Sequence, residues 1–199
     1  MKHRPVLLLD VMGTLVYDPF HVELPAFLGM TLKELIACKA PDAWPRFERG
    51  EIDEETFLRG FFRDGREYDH DGLRACAAAS YRWIDGMRAL TRELSDAGYA
   101  LHALSNYPVW YRLIEERLNL SATVAWSFVS CETGVRKPDD EAFLIPLRRL
   151  GVAADDCLFV DDQPVNCEAA AALGMDTIRF VDAGRLRGAL AARGIVSRG

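Results

Sequence analysis

Apolar residues gather in short runs that do not alternate, and each run stops at a polar residue. Val6-Leu7-Leu8-Leu9 stops at Asp10, and residues 100–104 stop at Ser105. Residues 124–129 stop at Ser130, and Cys157-Leu158-Phe159-Val160 stops at Asp161-Asp162. Runs this short and without a period of two predict strands of a parallel sheet, buried on both faces. Residues 177–181 predict a fifth strand. Between the runs lie helical patterns. Met87, Leu90, Leu94 and Ala97 recur at helical spacing up to Gly98, and similar patterns cover 109–118, 139–150 and 165–173. Pro146 conflicts with an unbroken helix over 139–150. Strand–helix alternation predicts an α/β fold, a doubly wound parallel sheet.

Residues 16–85 break the alternation. They lack β-branched runs, are rich in Ala, Leu, Glu and Arg, and carry helical stretches over 24–39, 44–50, 52–62 and 73–83. The expected organisation is therefore an α/β core from 1–15 and 86–199, with a helical lobe inserted over 16–85. The aromatic residues of the insert, Trp44 and Phe57 among them, are expected to form its own core. Tyr17, Asp18 and Phe20, where the chain leaves the sheet, are expected to face a cleft. His21 and His102 lack metal-ligand spacing and receive no role.

The counts narrow the function. A chain of 199 residues is one domain, or one domain with a small lobe, and half of its residues are apolar. A net charge of −6 argues against nucleic acid and anionic membrane as partners, since both demand a basic face. No apolar run approaches the ~18 residues that span a bilayer. The run at 6–9 is too short for a signal peptide before Asp10 interrupts it. Five cysteines, an odd number with no C-x-x-C pair, argue against a disulfide framework or a cysteine-built zinc site. A cytoplasmic protein is expected.

Ligands of open α/β sheets sit at the carboxyl ends of the strands. The residues placed there are Asp10, Ser105 and the pair Asp161-Asp162, a donor set suited to Mg²⁺ and a phosphate. Taken singly, each has a plainer reading. Asp10 before Gly13 could shape a turn, and Ser105-Asn106 or Asp161-Asp162 could cap a helix. Lys137 is harder to explain that way. It stands at the start of the helix expected after Pro138, where a cation opposes the helix dipole, so either clustered anions hold it or it is simply solvated.

Four segments together resemble the haloacid dehalogenase superfamily of hydrolases, in the subgroup with a helical cap after the first motif. They are Leu8-Leu9-Asp10-Val11-Met12-Gly13-Thr14-Leu15; Leu104-Ser105-Asn106; Gly134-Val135-Arg136-Lys137-Pro138-Asp139; and Phe159-Val160-Asp161-Asp162-Gln163-Pro164-Val165-Asn166. The resemblance spans nearly the whole chain. It implies Asp10 as a nucleophile that forms an aspartyl-phosphate, Ser105 as a phosphoryl hydrogen-bond donor and Lys137 as the charge that keeps Asp10 ionised. It implies Mg²⁺ held by Asp10, Asp161, Asp162 and the backbone carbonyl of Met12, with Asn166 supporting the acidic loop. Thr14, Asn106 and Tyr17 are expected to contact a small phosphorylated substrate, and a homodimer is compatible with the pattern.

The sequence departs from the family at one position. Family phosphatases carry a second Asp two residues after the nucleophile as general acid and base, and here that residue is Met12. A thioether neither donates nor accepts a catalytic proton, so roughly 10²–10⁴ in rate is at stake for poor leaving groups. The expectation is a Mg²⁺-dependent phosphohydrolase of weak or specialised activity. The alternatives are a metal-independent 2-haloacid dehalogenase, a class that also lacks the second Asp but does not keep an acidic pair such as Asp161-Asp162, and a non-catalytic binding module. A phosphonate-cleaving relative would use a cap lysine, but Lys33 and Lys39 read as solvated helix residues. A receiver domain would place its acceptor Asp after a later strand and would lack the insert.

Overall fold

Residues 4–196 of a computed structural model are described here. Five parallel strands form one sheet: β1 (Val6–Leu9), β2 (Leu101–Ser105), β3 (Ala125–Val129), β4 (Cys157–Asp161) and β5 (Asp176–Arg179), in the order β3-β2-β1-β4-β5. In register, Leu9 lies beside Ala103 on one side and Val160 on the other. β1 is therefore central, and the chain order reverses around it. The carboxyl ends of β1, β2 and β4 meet there, at the crevice where such sheets bind ligands. The fifth strand sits one residue earlier than expected and ends at Arg179. Phe180 still donates its N–H to the Asp161 carbonyl, and then Asp182 turns the chain into a helix by accepting from Arg185 N at 2.8 Å.

The helices are α1 (Glu23–Phe27), α2 (Leu32–Cys38), α3 (Ala43–Glu48), α4 (Glu54–Arg59), α5 (His70–Ser80), α6 (Met87–Asp96), α7 (Tyr111–Leu118), α8 (Ser130–Thr133), α9 (Asp140–Leu150), α10 (Pro164–Ala172) and α11 (Ala183–Ala192). The stretch expected to be helical over 24–39 divides into α1 and α2. Gly29 takes a left-handed φ of +66°, and Thr31 then starts α2 with a reciprocal capping box to Glu34. The last stretch of the insert starts earlier than expected because Asp69 caps α5. α9 runs straight through Pro146. The proline removes one intrahelical bond, but its ring lies on the buried face with Ala142 and Phe143. α8 and α11 went unanticipated, the first because it is a single turn.

Alternate residues of each strand feed opposite faces of the sheet. Leu8, Leu104 and Phe159 pack with Phe143 and Met175 on one face. Leu7, Leu9, Leu101 and Val160 join a larger cluster that continues into the insert through Leu24, Phe47 and Phe57 without a break. The two connections to the insert pair with each other. Val16 bridges Trp83, Tyr17 N–H donates to the Arg82 carbonyl, and Ile84 N–H donates to that of Leu15. The insert also fits closely against the sheet side. A Cβ on Gly50, in the turn after α3, would lie 2.6 Å from the Cys131 carbonyl oxygen. Among the described residues no helix is long and apolar enough to cross a membrane.

Candidate active site

Each strand end delivers one group to a shared point. Asp10 follows β1, and its N–H donates to the Val160 carbonyl, which ties the end of β1 to β4. The loop beyond it wraps tightly around the Val11 carbonyl, which accepts from Leu15 N and Val16 N at 2.8 Å. Gly13 turns this loop at a φ of +83°, and a Cβ there would meet the Asp162 carboxylate at 3.0 Å. The absence of a side chain at Gly13 thus lets the acidic loop close over the end of β1.

Lys137 is the centre of the arrangement. Its side chain is 1% exposed, and its Nζ donates to Asp10 Oδ1 at 2.8 Å and to Asp161 Oδ2 at 2.6 Å. The helix-start lysine of the sequence is thus held by clustered carboxylates rather than by solvent. Burial alone would depress its pKa, but Asp10 and Asp161 outweigh it and hold the ammonium above its usual range. Asp161 also accepts from Gln163 N at 2.8 Å and from Asn166 Nδ2 at 3.0 Å. Asn106 fixes the lysine from behind. Its Nδ2 donates to the Lys137 carbonyl and its Oδ1 accepts from Lys137 N, both at 2.8 Å.

The insert reaches the same segment. The Glu48 carboxylate, buried at the end of α3, pairs with the Arg136 guanidinium beside Lys137, and the Glu48 carbonyl accepts from Ser130 Oγ. Burial pushes the Glu48 carboxyl up, and Arg136 opposes this. Nothing in the sequence motifs points to this clasp. Glu48 stands among Arg46, Arg49 and Glu51, so no local pattern singles it out.

Asp10, Asp161 and Asp162 can bring one carboxylate oxygen each within 4.8 Å of one another. Three carboxylates therefore face one ammonium. Burial, the largest cause, pushes the Asp10 pKa up to about 7, with Lys137 pulling it down and Asp161 pushing it up. Burial and the neighbouring Asp161 also raise Asp162. Asp10 Oδ2 and Ser105 Oγ are buried and lack hydrogen-bond partners, an arrangement that costs free energy unless a ligand supplies the contacts. A hard dication and an anionic oxygen fit these two gaps.

Beside the carboxylates, under the insert, opens a cavity of about 420 Å³. Its wall is mostly aromatic and aliphatic, with Trp44, Phe57 and Trp110 packed edge to face. Met12 lines it at the end nearest Asp10, and the Tyr81 and Tyr107 hydroxyls bond to each other at 2.7 Å on its wall.

The expected substrate contacts divide. Asp18 and Phe20 line the cavity. Tyr17 does not: its hydroxyl donates to Glu23 at 2.9 Å, and the Arg82 guanidinium covers its ring at 3.4 Å, so the side chain is committed to α1 and the connection to β2. Asn106 touches the cavity, but both ends of its amide are spent on the Lys137 backbone. Thr14 is fully buried with an unpartnered hydroxyl and does not line the cavity. Lys39, expected to be solvated, is a lining residue.

The raised Asp10 pKa has a sign. The unfolded chain releases this proton near pH 3.8 and the folded chain near 7, so the folded state binds more protons in between. This group's contribution to stability therefore falls as pH rises through that window. Asp10→Asn removes the opposed charge. Differential scanning fluorimetry in EDTA should show the variant melting above the wild type at pH 8, with the difference shrinking towards pH 5.

The chain is matched over residues 6–174 by the haloacid dehalogenase-like hydrolase family. It is 46% identical over 194 residues to flavin mononucleotide hydrolase 1 of Arabidopsis thaliana, covering 98% of this chain and 79% of the relative. It is 29% identical over 167 residues to the sesquiterpene phosphatase astK of Aspergillus oryzae, covering 77% of this chain and 80% of that one. In fold it is similar to a HAD family enzyme from Bacteroides thetaiotaomicron solved with magnesium and inorganic phosphate, with a TM-score of 0.72, 20% identity and 92% and 98% of the two chains covered. A family match across most of the chain, on a sheet whose strand ends converge on Asp10, Lys137 and the acidic pair, places this protein among the haloacid dehalogenase-like hydrolases.

Proposed function

We propose that the protein is a Mg²⁺-dependent phosphohydrolase that removes phosphate from a large, ring-bearing alcohol, and that flavin mononucleotide is its substrate. The observation that carries this reading is the pair of unpartnered buried oxygens, Asp10 Oδ2 in the acidic cluster and Ser105 Oγ, with Met12 and Asn106, close to them in the chain, lining an apolar cavity. The Arabidopsis relative supports the substrate, and the mostly aromatic wall suits a flat ring system.

In this reading residues 16–85 act as a cap over a core built from 1–15 and 86–199. Asp10, Asp161, Asp162 and the Met12 carbonyl would hold a magnesium ion, which would offset carboxylate repulsion and phosphoryl charge. Asp10 attacks phosphorus, the bond from phosphorus to the ester oxygen breaks, and an aspartyl-phosphate forms. Water then attacks that phosphorus and releases inorganic phosphate with the free carboxylate. Lys137 keeps Asp10 ionised and Ser105 donates to the phosphoryl oxygen.

The leaving oxygen must take its proton from water or from the substrate, because Met12 carries none. Met12 instead adds an apolar, polarizable surface to the cavity. All of these groups come from a single chain, so the site requires no second copy. The free state of the five cysteines supports a reducing compartment such as the cytoplasm.

Hydrolysis of flavin mononucleotide and p-nitrophenyl phosphate, followed with and without Mg²⁺, tests the reading. Metal-dependent release of phosphate that disappears in Asp10→Asn is expected. Absence of turnover on both esters would overturn it and favour halide release or binding without catalysis. Met12→Asp should raise kcat on alkyl phosphates by roughly tenfold or more, within the range of general-acid help, and change p-nitrophenyl phosphate far less because nitrophenolate leaves without a proton. Equal effects on the two would show that leaving-group protonation does not limit the rate.

A further inference from the structure

The cavity wall carries two side chains of opposite charge, Asp18 and Lys39, in surroundings that are otherwise apolar or neutral. Asp18 caps the short 3-10 turn Pro19–His21, and its Oδ1 accepts from Phe20 N at 2.9 Å. Its Oδ2 lies 3.8 Å from the His21 imidazole and accepts no hydrogen bond among the described residues. The residue lines the cavity, and 35% of its side chain remains accessible. Burial pushes the Asp18 carboxyl up, so its ionised form gains from a donor. Tyr81 and Tyr107, across the wall, both feel its charge.

Lys39 follows α2. Its carbonyl accepts from Arg63 Nε at 3.0 Å, which fixes the backbone at that point. Its Nζ lies 5.9 Å from the centroid of the Phe20 ring and makes no ion pair among the described residues. Phe20 is thus an aromatic surface with a carboxylate two residues before it and an ammonium above it.

We propose that Asp18 and Lys39 are the specificity-determining pair of the cavity and read the amide-like edge of a flat heterocyclic leaving group, Asp18 accepting from a ring N–H and Lys39 donating to a ring carbonyl oxygen. The inference rests on the phosphohydrolase reading and deepens it. A hydrocarbon of the same volume would fill the aromatic wall but leave both charges desolvated and unpaired. A cavity built to hydrogen-bond its ligand rejects an analogue without those groups far more strongly than an apolar wall rejects a change of one methylene. The isoalloxazine ring has such an edge, and a sesquiterpenoid chain does not.

Two conservative variants test this. Asp18→Asn keeps an acceptor for Phe20 N and removes the charge, and Lys39→Met keeps the aliphatic stem. Two readouts follow: kcat/KM for flavin mononucleotide relative to farnesyl phosphate and p-nitrophenyl phosphate, and the Kd of riboflavin from quenching of its fluorescence. Each variant should raise the KM for flavin mononucleotide and the riboflavin Kd together by roughly tenfold or more, as loss of a charge-assisted hydrogen bond implies, with a smaller change in kcat. The preference over farnesyl phosphate should fall by a similar factor. Unchanged riboflavin binding in both variants, or equal losses on all three esters, would overturn the inference. Riboflavin binding needs no phosphate and no turnover, so it tests the cavity even where the phosphohydrolase reading fails. A wild type that hydrolyses p-nitrophenyl phosphate through Asp10 but does not bind riboflavin would overturn the inference alone.

Discussion

A buried ammonium cannot exist without anions, and the site follows from that constraint. Lys137 Nζ has Asp10 on one side and Asp161 on the other, and its side chain is almost wholly out of solvent. Removing Lys137 would leave three carboxylates facing one another in a medium that solvates them poorly. The three residues therefore fix one another across β1, β4 and the segment before α9. Asn106 adds β2 by holding the lysine's backbone, and Asn166 and Gln163 hold Asp161. The pairing is also incomplete, because one ammonium faces three carboxylates. Burial first, and the neighbouring carboxylates after it, push Asp10 up, and the excess of negative charge gives the place a use for a dication.

The insert ties its chemistry to this frame at two points. Glu48 holds Arg136, the residue before Lys137, so the docking of α3 and the placement of the lysine share one contact. On the cavity side, Met12 belongs both to the loop that follows Asp10 and to the wall that would meet a leaving group. A carboxylate there would add a fourth negative charge beside Asp10 and a polar spot on an apolar wall. The thioether gives up proton transfer and gains contact surface, a reasonable exchange where binding a large ring matters more than the speed of the chemical step.

Much of the fold was legible because buried parallel strands leave a simple signature. Four unalternating apolar runs, each stopped by a polar residue, located β1 to β4 within a residue or so and put Asp10, Ser105 and Asp161 at their carboxyl ends. The single turn α8 and the break between α1 and α2 were missed: a short helix has little periodicity, and the helical stretch expected over 24–39 ran across Gly29 without a stop. In the site, the carboxylates stood out only as a set at the strand ends, since each alone reads as a turn or cap residue, whereas a lysine at a helix start is costly by itself unless something pairs it. Their partners did not stand out. Asn106 and Glu48 act through contacts 31 and 88 residues away in sequence, and Tyr17 is drawn off by Glu23 and Arg82. Such pairings depend on how segments distant in sequence pack together, and no local spacing encodes that.

The account turns on the acidic cluster being a metal site balanced against Lys137. Calorimetric titration of Mg²⁺ into the metal-free protein at pH 7.5 addresses this most directly, with Asp162→Asn as the comparison. Saturable binding at millimolar metal or below, weakened at least about tenfold in the variant, is the result predicted from loss of one carboxylate ligand. No heat of binding in the wild type at several millimolar Mg²⁺, or equal binding in the two proteins, would contradict it.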